Sequence, residues 1–170
     1  MGEPTILYGF IAGADAYSVY NRDNEKDAEL QQKIDINNIN VIKNLPVNSD
    51  TDEWPFIAQS MFSIANNDWR LQYWYKLIHF AACYKNLDWD LTHWIRKFEE
   101  KILSHMYWEY AVVDYRGSYR TQPTYHFEWG VDRQWKDELM EYGSLKKITK
   151  WSLSHDYDDI EERKIDQAKN

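Results

Sequence analysis

Cysteine, glycine and proline are all scarce in this chain of 170 residues, which has one Cys, six Gly and four Pro. A single cysteine excludes an internal disulfide and is typical of a reducing compartment. The sequence contains no internal repeat and no low-complexity segment. We interpret the thiol of Cys83 as buried and inert, because it follows Ala81 and Ala82 in an apolar run.

Long apolar runs are also missing. No stretch approaches the roughly 20 residues that a membrane-spanning helix requires. No basic segment precedes the short apolar stretch at residues 6–12, which is unlike a secretion signal, and N-myristoylation would need Ser or Thr where Ile6 stands. The sequence therefore predicts a soluble, cytoplasmic protein that does not bind membranes.

Motifs for catalysis and cofactor binding are absent. The sequence holds no HExxH, CxxC, GxSxG, Walker or GxGxxG pattern, and its five histidines show no metal-ligand spacing. We expect no cofactor and no metal. An enzyme without a motif stays open as an alternative.

Basic residues are few in the first part of the chain. The net charge is −8, and residues 1–69 contain eleven Asp and Glu against four Lys and Arg, whereas the remaining residues are nearly balanced. An acidic field repels nucleic acid and anionic membranes and attracts basic partners. Simple solubility is the alternative explanation.

Aromatic residues are abundant instead, with nine Trp, thirteen Tyr and six Phe. Those at periodic positions are predicted to form the core: Phe56, Phe62, Trp74, Phe80, Trp94, Phe98, Phe127 and Trp129. Others stand beside turns or among polar residues, where full burial is less assured: Trp54, Trp69, Trp89, Trp135 and Trp151. Rings of the second kind are typical of binding surfaces.

The hydrophobic pattern predicts a single α+β domain over residues 1–154. Strands are expected at residues 5–12, 54–65, 73–84, 107–115, 124–131 and 147–153. The segment 73–84 is apolar on both faces and would be covered on both sides, as a central strand or, alternatively, as a buried helix. One helix is expected between Asp23 or Asn24 and Pro46, a second after Asp88 or Asp90, and a short one at 134–142. In the second helix Lys97 is placed on the polar side. The order β-α-β-β-α-β is ferredoxin-like, with two main helices on one face of an antiparallel or mixed sheet, plus C-terminal strands. Residues 155–170 are predicted to form a charged, mobile tail.

One candidate binding surface combines acidic residues with tryptophan. Asp50, Asp52 and Glu53 precede Trp54, and Asp68 precedes Trp69. An exposed tryptophan with an acidic rim is typical of a protein-binding anchor. The alternative is a tryptophan that packs over the end of an element.

A second candidate is a pocket on the sheet formed by Glu109, His126 and Glu128. Two carboxylates and a histidine that converge across strands can act as acid and base or hold a metal. The alternative is a hydrogen-bonded cross-strand cluster. His79, between Ile78 and Phe80, is interpreted as a buried core histidine.

Several segments together resemble one known group of proteins. They are Tyr8-Gly9-Phe10-Ile11, Trp54-Pro55-Phe56-Ile57, Ser60-Met61-Phe62-Ser63-Ile64, His79-Phe80-Ala81 and Tyr107-Trp108-Glu109. In size, acidity, aromatic density and α+β order, the chain is similar to the small immunity proteins of bacterial polymorphic-toxin and contact-dependent inhibition systems. The resemblance implies a non-enzymatic cytoplasmic protein that binds one toxin domain, often a basic nuclease, and blocks its active site.

Three functional hypotheses follow. The first is an inhibitor that binds a basic protein domain through the surface around Trp54. The second is a small enzyme that uses Glu109, His126 and Glu128. The third is a module that binds a small ligand in an aromatic cavity. The sequence leaves the oligomeric state open.

Overall fold

Six strands and two helices make up the part of the chain that the computed structural model describes, namely residues 4–14, 25–64, 77–117, 124–131 and 151–156. The strands are β1 (Pro4–Gly13), β2 (Phe62–Ile64), β3 (Leu77–Lys85), β4 (Trp108–Gly117), β5 (Thr124–Val131) and β6 (Trp151–Asp156). The helices are α1 (Glu25–Lys43) and α2 (Leu91–Lys101). Short 3₁₀ helices lie at Ser49–Thr51, Gln59–Met61, Leu87–Asp90 and Leu103–His105.

These strands form one sheet in the order β2-β3-β1-β4-β5-β6, and every neighbouring pair is antiparallel. The strand nearest the N-terminus, β1, lies in the middle, between β3 and β4. The predicted α+β class and the antiparallel sheet are confirmed. The ferredoxin-like assignment stays a prediction.

The sheet has two different faces because side chains alternate along each strand. We call the face that packs on α2 the helix face. It carries Leu7 and Ile11 of β1 and the buried rings of Phe80, Phe127 and Trp129. The opposite face, here the outer face, carries alternating residues of the same strands: Ile6, Tyr8, Phe10, His79, Ala81, Cys83, Tyr110, Val112, Asp114, His126 and Glu128.

Aromatic rings fill the space between the helix face and α2. Trp94 and Phe98 stack at 5.1 Å, and Phe98 also contacts Phe80 and Trp129, each at 5.4 Å. Each ring buries a large apolar area, and tilted or offset pairs add to that stabilisation. The core prediction is confirmed for these four rings and for Phe127. Among the remaining members, Phe56 and Phe62 are partly buried against the core, and Trp74 lies outside the described residues.

Gly9 lets the ring of Phe80 lie close to the centre of the sheet. The two residues are register partners in β1 and β3. A Cβ atom on Gly9 would stand 2.7 Å from the Phe80 ring and would collide with the backbone carbonyl of Val112 in β4. Only glycine fits here without a backbone shift.

Helix α1 is fastened to the start of β4 by asparagine. The Asn38 side chain donates to the carbonyl of Tyr107 at 2.7 Å and accepts from the Tyr107 amide at 2.8 Å. Gln31 donates to the carbonyl of Ala14, just after β1. Ile42, in the last turn of α1, belongs to the same core cluster as α2. Polar side chains of α1 therefore satisfy backbone groups where strands begin and end.

The predicted strand at residues 54–65 is wrong for most of its length. Only Phe62–Ile64 pairs with β3. Upstream of it, the Ile57 amide donates to the Asp52 carboxylate, and the amides of Gln59 and Ser60 donate to the carbonyls of Pro46 and Val47. Backbone donors bound in this way are not available to a ladder, although the side-chain pattern has period two.

The predicted burial of His79 and Cys83 is also wrong, because both are exposed on the outer face. An apolar strand was expected to be covered on both sides. In β3 the bulky residues Ile78, Phe80 and Tyr84 are buried on the helix face, and the small or polar ones alternate outward.

The remaining sequence predictions lie at the C-terminal end. Strand β6 includes residues 155 and 156, the first two of the predicted tail. The rest of that tail and the predicted helix at 134–142 lie outside the described residues.

Candidate functional site

The acidic segment at residues 50–55 is fastened to α2 by a buried lysine. Nζ of Lys97 donates to Oδ2 of Asp52 at 2.6 Å and to the carbonyls of Glu53 and Pro55 at 2.7 and 3.1 Å. The ammonium has three donors, and these three oxygens accept from it. The Lys97 and Asp52 side chains are only 8% and 5% exposed, so the charges compensate each other within the fold.

Two competing effects act on the pKa of Asp52. Burial of the carboxyl raises the pKa, whereas the hydrogen bond from the Ile57 amide and the bond and charge of Lys97 lower it. The lowering effects win, and the pKa lies below its usual value. Asp52 is therefore ionised at neutral pH.

Two predictions from the sequence are corrected by this contact. Asp52 does not belong to an exposed binding surface, because its side chain is buried against Lys97. Lys97 does not lie on a solvated face of α2, because the segment at 52–55 covers it. The pattern of α2 alone cannot show that a distant loop supplies the oxygen atoms that make burial of an ammonium tolerable.

Trp54 lies at the N-terminal end of α2 with part of its ring exposed. Its Nε1–H donates to Oδ2 of Asp90 at 2.6 Å, and its ring meets those of Phe56 and Tyr84 edge-on, at 6.2 and 5.8 Å. The side chain nevertheless remains 43% exposed. Asp90 stands at the N-cap position of α2 as predicted, but its carboxylate binds this indole and makes no capping bond.

A second tryptophan extends this surface. Trp89 is 84% exposed and directly precedes Asp90. Asp50, Glu53 and Asp88 are exposed, and Asp90 is half-buried. We call these six residues the acidic tryptophan patch: Asp50, Glu53, Trp54, Asp88, Trp89 and Asp90. The patch thus joins two exposed indoles with four carboxylates.

Two lysine side chains of α2 contact Asp52, which is not a member of the patch. Lys97 forms the buried pair, and the half-exposed Lys101 lies 3.5 Å from the other carboxylate oxygen of Asp52. Of the residues predicted from the sequence, Asp50, Glu53 and Trp54 are exposed on one short segment, whereas Asp68 and Trp69 lie outside the described residues.

The second candidate site is a cluster on the outer face, where β4 and β5 pair. Nδ1 of His126 lies 2.8 Å from Oδ1 of Asp114, and Nε2 lies 2.9 Å from Oε1 of Glu128. The hydroxyl of Tyr110 hydrogen-bonds to Glu128. We call Tyr110, Asp114, His126 and Glu128 the His126 cluster.

Glu109 does not take part in the His126 cluster. The two ring nitrogens of His126 bond to Asp114 and Glu128, and Glu109 stands where the register between β1 and β4 shifts, between Ala12 and Gly13. Asp114, which is directly opposite His126 in the ladder, occupies the place predicted for Glu109. The sequence prediction thus found two of the four members.

The ionisation of the His126 cluster fits a hydrogen-bonded network. The bonds to Glu128 and Asp114 raise the pKa of His126, and the bond from His126 lowers the pKa of Glu128. Burial and the neighbouring Glu128 raise the pKa of Tyr110. At neutral pH these directions favour an imidazolium, a carboxylate and a neutral phenol, each the complement of its neighbour.

Sequence reasoning missed Asp88, Asp90, Tyr110 and Asp114 as site residues and placed Trp89 only among the rings of doubtful burial. The signal for the first two was present, since Asp88-Trp89-Asp90 repeats the acid-flanked tryptophan seen at residues 53–54. Pairing the predicted strands at 107–115 and 124–131 end to end, with residue 115 opposite 124, misses the observed register by one residue, because Thr124 pairs with Arg116 and His126 with Asp114.

Metal and membrane sites have no support in the described segments. No group of three or more His, Cys, Asp or Glu in them is arranged to hold a metal ion. None of the helices described there has the length and apolar character needed to cross a bilayer.

Comparison of the chain with protein-family models, with curated proteins and with solved structures finds no match.

Proposed function

We propose that this protein is a non-enzymatic inhibitor of the immunity type, which binds a basic protein domain through the acidic tryptophan patch and blocks its activity. The observation that carries the proposal is the exposure of Trp89 and Trp54, 84% and 43%, beside four carboxylates. Large exposed rings with a charged rim are typical of the centre of protein interfaces.

The partner that fits this patch presents arginine or lysine side chains. A guanidinium placed over an exposed indole gains cation–π attraction, and nearby carboxylates bind its N–H groups. The net charge of −8 would also speed the approach of a basic domain. A toxin domain with a cationic active site, such as a nuclease, is the partner class that the proposal names.

Trp89 offers a direct test, because its side chain is 84% exposed and we expect W89A to fold like the wild type. Wild-type protein and W89A are each immobilised on a resin and incubated with lysate of the native host at low salt. Bound proteins are then released with high salt. The released basic protein is then purified and its binding kinetics are measured. We expect Kd to rise at least tenfold in W89A, since a central ring of an interface contributes on the order of 2 kcal/mol or more.

A charge variant and a matched control complete the test. D50N/E53Q should slow association and reduce its dependence on salt, with little change in dissociation. I36A, which removes an exposed apolar side chain of α1 outside the patch, should leave binding unchanged. The inhibitor function itself requires that co-expression of this chain rescues cells from the activity of the purified partner. Equal affinity of W89A and wild type would exclude the patch, and a partner without harmful activity would exclude the immunity function.

A further inference from the structure

The His126 cluster contains a histidine that hydrogen-bonds through both ring nitrogens. The acceptors are carboxylates on two different strands, Asp114 of β4 at 2.8 Å and Glu128 of β5 at 2.9 Å. Neutral imidazole has one N–H, so it donates to one carboxylate only. With both carboxylates ionised, the two bonds exist together only when the ring carries two protons.

We propose that Asp114, His126 and Glu128 form a proton-operated clasp between β4 and β5. The clasp is closed when the imidazolium bridges both carboxylates, and it is half open when the neutral ring retains one of them. The proposal does not depend on the function proposed above, because the acidic tryptophan patch contains none of these residues.

The other groups around the ring define how the clasp opens. Tyr110 hydrogen-bonds to Glu128 and so supplies that carboxylate with a second donor. Asp114 faces Tyr8 across the β1–β4 ladder, and Arg116 is the next outer-face residue of β4. On β6, residue 156, an aspartate, stands opposite His126 in register. Helix α2 packs on the other face of the sheet and contributes no charge here.

Loss of the proton changes the outer face as well as the clasp. The cluster becomes more negative by one charge, and one carboxylate loses its imidazole donor. These residues share the outer face with exposed Ile6, Tyr8 and Tyr110, so the change occurs beside apolar surface. The clasp is closed over the pH range in which Glu128 is ionised and His126 is protonated. The pKa of Glu128 is lowered and that of His126 is raised, so both shifts widen this range.

Nuclear magnetic resonance of the full chain, labelled with ¹⁵N, tests the clasp directly. Two-bond ¹H–¹⁵N spectra report the protonation of each ring nitrogen of His126 as pH is varied. We expect both nitrogens to be protonated at pH 6 and the midpoint to lie above the usual value of about 6.5. D114N and E128Q should each lower that midpoint, and the double variant should return it to about the usual value.

E109Q is the matched control, since it removes a carboxylate from the same strand outside the cluster. It should leave the His126 midpoint unchanged. Amide exchange, corrected for its intrinsic pH dependence, reports strand pairing: protection at Val113 and Phe127 should fall several-fold as pH rises through the midpoint. In D114N/E128Q no such step is expected.

Two results would overturn the proposal. One is a wild-type midpoint at or below about 6.5, or one that the double variant does not change. The other is constant exchange protection of the β4–β5 amides across the midpoint. The first experiment needs wild-type protein alone, so a variant that fails to fold does not remove the test.

Discussion

Lys97 shows how one side chain can set the position of a surface that it does not belong to. Its ammonium is buried and binds three oxygens of the segment at 52–55, which carries Trp54. The helical pattern assigns this lysine to solvent. Its burial is tolerated only because a loop more than forty residues upstream supplies both a counter-charge and two carbonyls.

We expect K97M to destabilise the protein by about 3–5 kcal/mol, because it leaves the carboxylate of Asp52 buried without its counter-charge. K101M is the control: that lysine is half-exposed and 3.5 Å from Asp52, and its removal should cost no more than about 1 kcal/mol. Urea unfolding measures both. D52N/K97M should recover part of the loss, and equal stability of K97M and wild type would contradict the assigned role.

At the scale of the elements, the sheet is organised around β1 and depends on close approach at Gly9. The Phe80 ring and the Val112 carbonyl occupy the space where a Cβ atom would lie. Because one of these neighbours is backbone, a side-chain rotation cannot relieve the collision.

G9A should therefore lower the free energy of unfolding by about 1–3 kcal/mol, the usual cost of overpacking. A81S, at an exposed position of the outer face, should change it by less than about 0.5 kcal/mol. The midpoints of urea denaturation provide the comparison. A G9A protein as stable as A81S would show that β1 and β4 can separate at this point without cost.

Elements with a strong local pattern were predictable, and those governed by distant partners were not. The predicted strand at 124–131 has the same bounds as β5, and the aromatic residues of α2, Trp94 and Phe98, are buried in the core as predicted. The failure at 54–65 arises because side chains and distant carbonyls take the backbone donors. Glu109 was predicted in place of Asp114 because the sequence does not fix the register between the two strands. A shift of one residue in that register moves every side chain of a strand to the other face of the sheet.

For the whole molecule, three described groups link stability to pH in opposite directions. The pKa values of Asp52 and Glu128 are lowered in the folded state, so their stabilisation is present above about pH 4.5 and is lost as pH falls through the folded values. The pKa of His126 is raised, so its stabilisation is complete below about pH 6.5 and is lost as pH rises through the folded value.

These groups together favour maximal stability between about pH 4.5 and 6.5. Calorimetric Tm values from pH 2 to 9 at constant ionic strength test this. H126Q should remove the part of the decline that begins near neutrality, together with the share of the acid limb that Glu128 contributes, because the bond from His126 lowers the pKa of Glu128. D52N/K97M should reduce the acid limb only. If Tm changed by the same amount between pH 6.5 and 8 in the wild type and in H126Q, the contribution of His126 would be contradicted.

The central place of β1 has a consequence for synthesis of the chain on the ribosome. This strand is translated before both of its neighbours, β3 and β4, which lie far downstream. At 5–20 residues per second, roughly 5–20 s pass between the translation of β1 and that of β4. Both edges of this apolar strand lack their partners until β3 is translated, and the edge that pairs with β4 lacks its partner for the whole interval. A nascent chain arrested before residue 108 would therefore expose the unpaired backbone N–H and C=O groups of one edge of β1. We expect such chains to depend on chaperones far more than the finished protein does.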